Sequence, residues 1–312
     1  MIKTIYLAGG CFWGVEAYIK RLRGVIYTEA GYSNGEKLDD ISYEKVCSGL
    51  YGYAEVVKVK YISEILSTED LLDKFYKIID PLAVNRQGND QGVQYRTGIY
   101  YEKASDLKAI EKSLKDLEEK LGRKSALEVD KVRNYRPAEG YHQDYLYKNP
   151  GGYCHVDLSI LDEKETNDFY KLDPKRLEDL DELSYLVTQK SHTEKPFSSK
   201  LNDENERGIY VDKITRQPLF LSSDKFDAGC GWPSFTKPIV NEIIDYRKDH
   251  SHGMIRMEVK SKLGQSHLGH VFDDGPREAG GLRYCINGAS LDFIPYDKMA
   301  EKGYEDYMIL LD

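Results

Sequence analysis

The sequence contains no CxxC pair, and its five cysteines, Cys11, Cys47, Cys154, Cys230 and Cys285, are scattered over 312 residues. Such sparse spacing excludes a secreted disulfide framework, in which many bridges staple a short chain. It leaves inert core thiols or reactive ones, and an odd count keeps at least one out of any pairing. No apolar run approaches the ~20 residues needed to cross a bilayer, so no membrane association is expected. Lys and Arg do not cluster, and the net charge is −9. A nucleic-acid partner is therefore not expected, because affinity for phosphates is built from clustered basic residues. The first residues lack a basic n-region, an apolar core and a small-residue cleavage site, which predicts no export signal and a cytoplasmic protein. No internal repeat links the two halves.

Hydrophobic residues make up 40% of the chain and charged ones 31%, as in ordinary globular proteins. A length of 312 is long for one core and comfortable for two domains. Most of the 25 tyrosines read as structural.

The chain turns on residues 8–14, AGGCFWG, where a strand runs into a helix with Cys11 at the junction. Residues 3–7 alternate as a strand does, and Phe12, Trp13, Val15, Tyr18, Ile19 and Leu22 then recur at helical spacing until Gly24. At a helix start, unpaired N–H groups and the positive dipole end favour thiolate over thiol. Two readings of Cys11 stand on this basis: a reactive thiol, or a small buried apolar residue.

Further along, residues 31–35 predict a turn, 56–59 a strand, and 68–79 an amphipathic helix capped by Thr68. Residues 85–92 form a polar loop, 94–101 a strand and 104–121 a long charged helix. Alternating strands and helices make this half α/β or α+β. Between 162 and 195 charged residues dominate, with a helix expected from Pro174 to Thr188 packed through Leu177, Leu180 and Leu183. Beyond Pro196, short strands at 208–212, 218–220, 254–259 and 269–272 between Gly/Pro turns predict a mainly antiparallel β domain. The expected domains are 1–160 and 196–312, with 161–195 as a charged, partly helical linker.

The string GCFWG at residues 10–14 resembles the active-site motif of A-type peptide methionine sulfoxide reductases. Downstream, GCGWPSF (229–235), HLGHVFDDGP (267–276) and RYCING (283–288) follow in the order of the B-type reductases. The whole chain thus resembles a fused two-domain methionine sulfoxide reductase. For the first half the resemblance implies Cys11 as nucleophile, Glu55 as acid, Tyr43, Asp90 and Tyr95 around the sulfoxide oxygen, and Cys154 as resolving thiol. Phe12 and Trp13 would enclose the methyl group, with plain core packing as the rival reading. Without the family context, Glu55 would read as a surface strand residue. Relatives carry histidine where this chain has Tyr53. Cys47 matches a relative's cysteine and is expected to be structural.

For the second half the resemblance implies Cys285 as nucleophile, Cys230 as resolving thiol and Arg283 as thiolate stabiliser. His267 and His270 would hold a water or protonate the oxygen, oriented by Asp274 and Asn287, and Trp232 would cap the methyl. Two histidines and two cysteines also suggest zinc. Relatives hold it with two CxxC pairs, yet the matching positions here are Asp212, Thr215, Ser261 and Gly264, so no metal or other cofactor is expected. The resemblance further implies S-epimer reduction by the first domain and R-epimer reduction by the second. Disulfides Cys11–Cys154 and Cys230–Cys285 would form, to be restored by a thioredoxin-type dithiol partner. The substrates would be oxidised protein or peptide and free methionine sulfoxide. Competing hypotheses are a thiol redox sensor and a peroxide-reducing thiol enzyme.

Overall fold

The computed structural model describes residues 1–149, 151–161, 166, 174–253 and 255–312. The chain divides into two compact units, Met1–Asn167 and Asp168–Asp312. Much of the expected linker, 162–165 and 167–173, lies outside the described residues.

In the first unit the strands are β1 Ile2–Gly9, β2 Val25–Ser33, β3 Ala54–Ile62, β4 Arg86–Gln87, β5 Asp90–Gln91, β6 Thr97–Tyr101, β7 Glu128–Lys131 and β8 Arg136–Pro137. Its helices are α1 Phe12–Ile19, α2 Tyr43–Cys47, α3 Thr68–Tyr76, α4 Ala104–Leu121 and α5 Tyr145–Lys148. Six strands form one sheet in the order β7-β6-β1-β3-β2-β8. Among the described residues only β6 and β7 pair in parallel, through the crossover made by α4. The side-chain alternation of β1 and β3 feeds two cores. Ile5, Leu7, Val57 and Val59 meet Val15 and Ile19 of α1 and Leu72 and Phe75 of α3. Tyr6, Ala8, Ala54, Val56 and Tyr100 pack on the other face. A ring as deeply buried as Phe75 contributes about 1.5–3 kcal/mol.

Several expectations are corrected in detail. Residues 31–33 continue β2, because Gly31 and Tyr32 pair with Val56 and Glu55, and the turn waits for Asn34 at φ 55°. Ser67, not Thr68, caps α3, its hydroxyl accepting from the Asp70 N–H at 3.0 Å. The strand expected from 94 begins at Thr97, after a 3-10 turn at Val93–Tyr95.

The second unit opens with α6 Pro174–Glu178 and α7 Glu182–Lys190, where one helix was expected. Asp181 interrupts it, accepting from the Ser184 N–H at 2.9 Å as a new N-cap. The restart changes the buried face to Ser184, Val187 and Thr188 and leaves Leu177 and Leu183 exposed. The strands are β9 Gly208–Asp212, β10 Pro218–Leu221, β11 Lys225–Phe226, β12 Ser234–Phe235, β13 Ile244–Asp249, β14 Arg256–Ser261, β15 His267–Phe272, β16 Arg283–Ile286 and β17 Leu291–Pro295; a short α8, Tyr296–Met299, follows. They build an antiparallel three-stranded sheet, β10-β9-β17, and an antiparallel six-stranded one, β11-β12-β16-β15-β14-β13. Phe235 of the six-stranded sheet stacks on Phe220 and meets Tyr210 edge-to-face, both from the three-stranded sheet. Met254, expected in the third strand, lies outside the described residues.

Candidate active sites

In the first unit, Gly10 turns the chain at φ 83° and Cys11 becomes the residue preceding α1. Glu55 reaches this point from β3: its carboxylate accepts from the Phe12 N–H at 3.0 Å. Glu55 is 1% exposed, and that burial lifts its pKa to about 8 against the pull of the Phe12 N–H, with Asp90 raising it further. Its resting form near neutrality is therefore the acid. Cys11 is 7% exposed. Burial pushes its thiol well up, Glu55 and Asp90 add to the rise, and the N–H groups of Trp13 and Gly14 oppose it. The helix-start argument identified a real stabilisation, but burial outweighs it. A proton resting on Glu55 removes the largest Coulombic obstacle to the Cys11 thiolate, so the two groups are linked in charge.

Tyr95 joins Cys11, Glu55, Asp90 and Tyr43 in this pocket: burial first, then Glu55, raises its hydroxyl pKa, while a hydrogen bond with Tyr43 opposes. Phe12 is 1% exposed and belongs to the core, tilted against Tyr32 and His142. Trp13 is half-buried, stacked on Tyr145 at 3.7 Å, and donates from Nε1 to His142 Nδ1 at 3.1 Å. Cys154 lies against α1: a Cβ added at Gly14 would come within 3.2 Å of its Sγ and 2.9 Å of Val156 Cγ2. Cys154 is held by the Val156 carbonyl at 3.1 Å. Tyr53, standing where relatives have histidine, is buried with a hydroxyl that has no partner among the described residues. Cys47 ends α2 as an exposed thiol beside the Tyr43 hydroxyl.

In the second unit, strand register assembles the site. Glu258 lies opposite His270, His270 opposite Cys285, and Cys285 opposite Ser234, so four neighbouring strands place one row of side chains on one face. A bulge at Leu268 brings His267 to that face as well, where its Nδ1 meets the Glu258 carboxylate at 2.6 Å. Gly269 permits the close approach of β15 and β16, since a Cβ there would sit 2.0 Å from the Cys285 carbonyl oxygen. Cys230 Sγ lies 3.7 Å from Cys285 Sγ and 3.4 Å from Ser234 Oγ. Two thiols this close ionise in sequence. Burial and then Cys230 push Cys285 up to about 12. Burial raises the pKa of Cys230, but hydrogen bonds with the Ser234 hydroxyl, the Trp232 backbone and the Cys285 thiol, with the Arg283 charge adding to them, outweigh it and ease the first ionisation of the pair.

The expected orientation of the histidines by Asp274 and Asn287 is corrected. Asp274 accepts two hydrogen bonds from Arg283, both at 2.8 Å, and fixes the guanidinium over Phe272. Asn287 accepts from the Glu194 N–H at 2.9 Å and donates to the Leu268 carbonyl at 3.0 Å. Glu258 and Asp249 take the orienting role, the latter meeting His270 Nε2 at 2.8 Å. Burial lowers the pKa of both histidines below its ordinary value, so both are neutral near pH 7. With its proton drawn to Nδ1, His267 presents Nε2 as a buried acceptor without a partner among the described residues.

Glu194 was also missed. It is buried, its carboxylate accepts from the Gly288 and Ala289 N–H groups at 2.6 and 3.0 Å, and its carbonyl accepts from Trp232 Nε1 at 3.1 Å. Its charged surroundings in sequence read as solvated linker; nothing local marks it. Glu258 could have been found, because it faces His270 once β14 and β15 are registered. At the positions matched to zinc ligands the donors do not suit zinc. Asp212 Oδ1 accepts from the Ile214 and Thr215 N–H groups, both at 2.8 Å, and Ser261 Oγ from the Ser266 N–H at 3.2 Å. Gly264 supplies no donor atom, and hydrogen bonds hold the two turns.

A family model described as Peptide methionine sulfoxide reductase matches residues 3–173, and one described as SelR domain matches residues 180–295. The chain is similar to Mxr1 from Saccharomyces cerevisiae in reduced form, at 38% identity over 50% of this chain and 91% of that chain, with a TM-score of 0.47. It is similar to methionine sulfoxide reductase A of Corynebacterium diphtheriae at 31% identity, over 49% of this chain and 77% of that one, with a TM-score of 0.43. It also matches Mxr1 in complex with Trx2, at 26% identity over 46% of this chain and 84% of that chain, with a TM-score of 0.33. Two thiol sites on two differently built units, each falling within its own family model, have one common explanation: the chain belongs to the peptide methionine sulfoxide reductases, as an A-type and a B-type domain fused in one polypeptide.

Proposed function

We propose that the first unit reduces the S epimer of methionine sulfoxide and the second the R epimer, each by its own thiol pair. Oxidation makes the sulfur a stereocentre and each epimer requires its own enzyme. The observation that supports this reading is that each unit sets a cysteine beside a group able to manage a proton, Glu55 next to Cys11 and His270 opposite Cys285, and that in the second unit the two sulfurs lie 3.7 Å apart.

At the first site Cys11 sulfur attacks the sulfoxide sulfur while Glu55 gives its proton to the oxygen, within hydrogen-bonding reach of Tyr43, Tyr95 and Asp90. The hydroxyl passes from the methionine sulfur to the Cys11 sulfur, methionine leaves with its lone pair restored, the thiol proton of Cys11 replaces the one Glu55 gave, and Cys11 becomes a sulfenic acid. Cys154 then attacks that sulfur, water departs with the oxygen, and a disulfide remains. Trp13 offers an aromatic face for the methyl. At the second site Cys285 is the nucleophile and Cys230 resolves it. The 3.7 Å gap needs to close to about 2.0 Å for a disulfide. Trp232 caps the methyl, and His267 and His270 hold the water through which the oxygen is protonated. Each turnover consumes two electrons, so an external dithiol of thioredoxin type must reopen each disulfide. Oxidised proteins, peptides and free methionine sulfoxide all present the reacting group.

The test is epimer-resolved turnover with a dithiol reductant. Cys11→Ser is expected to abolish S-epimer reduction alone and Cys285→Ser R-epimer reduction alone. Absence of sustained turnover in the unmodified chain would assign the thiols to a redox sensor instead.

A further inference from the structure

We propose that a groove beside Cys230 binds the peptide chain flanking an R-sulfoxide methionine and favours chains bearing lysine or arginine there, an inference that rests on Cys230 and Cys285 being a sulfoxide-reducing pair. The groove encloses about 480 Å³ and is lined chiefly by Phe197, Asp203, Glu204, Lys225, Phe226 and Asp227, ending at Gly229 next to the thiol. That volume falls within the roughly 300–1,000 Å³ of ligand pockets.

Register joins the groove to the reacting thiols. Phe226 lies opposite Ser234, and Ser234 opposite Cys285, so the Phe226 side chain extends the row that carries the nucleophile. Phe197 stands at the other lip. Its N–H donates to the Gly231 carbonyl at 2.7 Å, and a Cβ at Gly231 would meet its ring at 2.9 Å, so the ring lies over the Cys230 loop. Phe197 is 69% exposed and sits at φ 61°, in the left-handed region that a bulky side chain rarely adopts. An aromatic ring held in strained backbone and left two-thirds in water gains little from packing in the free protein. It gains when a chain covers it.

Charge selects the occupant. Asp203, Glu204 and Asp227 face one cation, Lys225, whose Nζ already donates to the Asn202 carbonyl at 2.8 Å. The surplus is negative, directly beside the place where the oxidised side chain must enter. A free amino acid brings an ammonium and a carboxylate together and gains little net from that surplus, whereas a peptide turns both into amides and can add a lysine or arginine.

The experiment compares kcat/KM of the full chain, with dithiothreitol as reductant, on three substrates: free R-methionine sulfoxide and two peptides containing it, flanked by lysine or by glutamate. Lysine-flanked peptide is expected to exceed glutamate-flanked peptide by about tenfold at low salt, and the preference should shrink as salt screens it. The double variant Asp203→Asn with Asp227→Asn should remove most of the preference. Phe197→Gly relieves the backbone and deletes the ring, so it should fold, and should lower the ratio of peptide to free-substrate kcat/KM through KM. Equal rates on both peptides, or a Phe197→Gly variant whose ratio of peptide to free-substrate kcat/KM is unchanged, would overturn the proposal. Failure to reduce the R epimer in any of the three substrates would instead remove the reading beneath it.

Discussion

Glu55 links burial to chemistry at the scale of one side chain. Its acid form prevails below about pH 8, so kcat/KM for S-sulfoxide is expected to fall as pH rises through about 8. Glu55→Gln should lose roughly 10²–10⁴-fold, the usual range for a general acid, and should flatten that limb of the pH profile. Glu16, buried in α1, makes a separate prediction about stability. Its carboxylate accepts from the Asp144 N–H at 2.9 Å, and burial followed by Asp144 raises its pKa from 4.5 to about 7. A raised folded pKa means that the stability it contributes is present below 4.5 and is lost as pH climbs towards about 7. Thermal melts of Glu16→Gln should therefore lose less stability across that window than the unmodified chain. At the second site Arg283 eases the first ionisation of the thiol pair. Arg283→Met should move the midpoint of thiol alkylation against pH upward by roughly one unit.

Elements carry what single residues do not. The second site exists because four strands align one row and a bulge in β15 adds His267 to it. Gly269→Ala, which would push a methyl against the Cys285 carbonyl, should destabilise the unit by at least about 1–3 kcal/mol in denaturant unfolding. Most elements were legible in the sequence because their patterns are local. The limits of α4, Ala104–Leu121, follow from its apolar spacing and Gly122, and the strand–cysteine–helix junction follows from the switch in period at Gly10. What was not legible depends on pairing or on competing caps. Residues 31–33 look like a turn until Tyr32 pairs with Glu55, and one helix becomes two because Asp181 offers a better start. The family strings located the cysteines and histidines. They did not reveal that Glu258 and Asp249, rather than Asp274 and Asn287, hold the imidazoles, because those carboxylates come from strands outside the motifs.

On the scale of the whole molecule, each unit has its own cores or sheets and its own set of reacting groups. No described helix is long and apolar enough to cross a membrane. Chemistry thus enters twice in one chain, with a carboxylic acid beside Cys11 and two neutral imidazoles near the Cys230 and Cys285 thiols. The most direct test treats the reduced protein with one epimer at a time, without reductant, and maps disulfides by mass spectrometry. S-sulfoxide should yield only Cys11–Cys154 and R-sulfoxide only Cys230–Cys285, with one methionine formed per bridge. Either epimer producing both bridges, or methionine forming with all four thiols still reduced, would contradict two independent thiol sites.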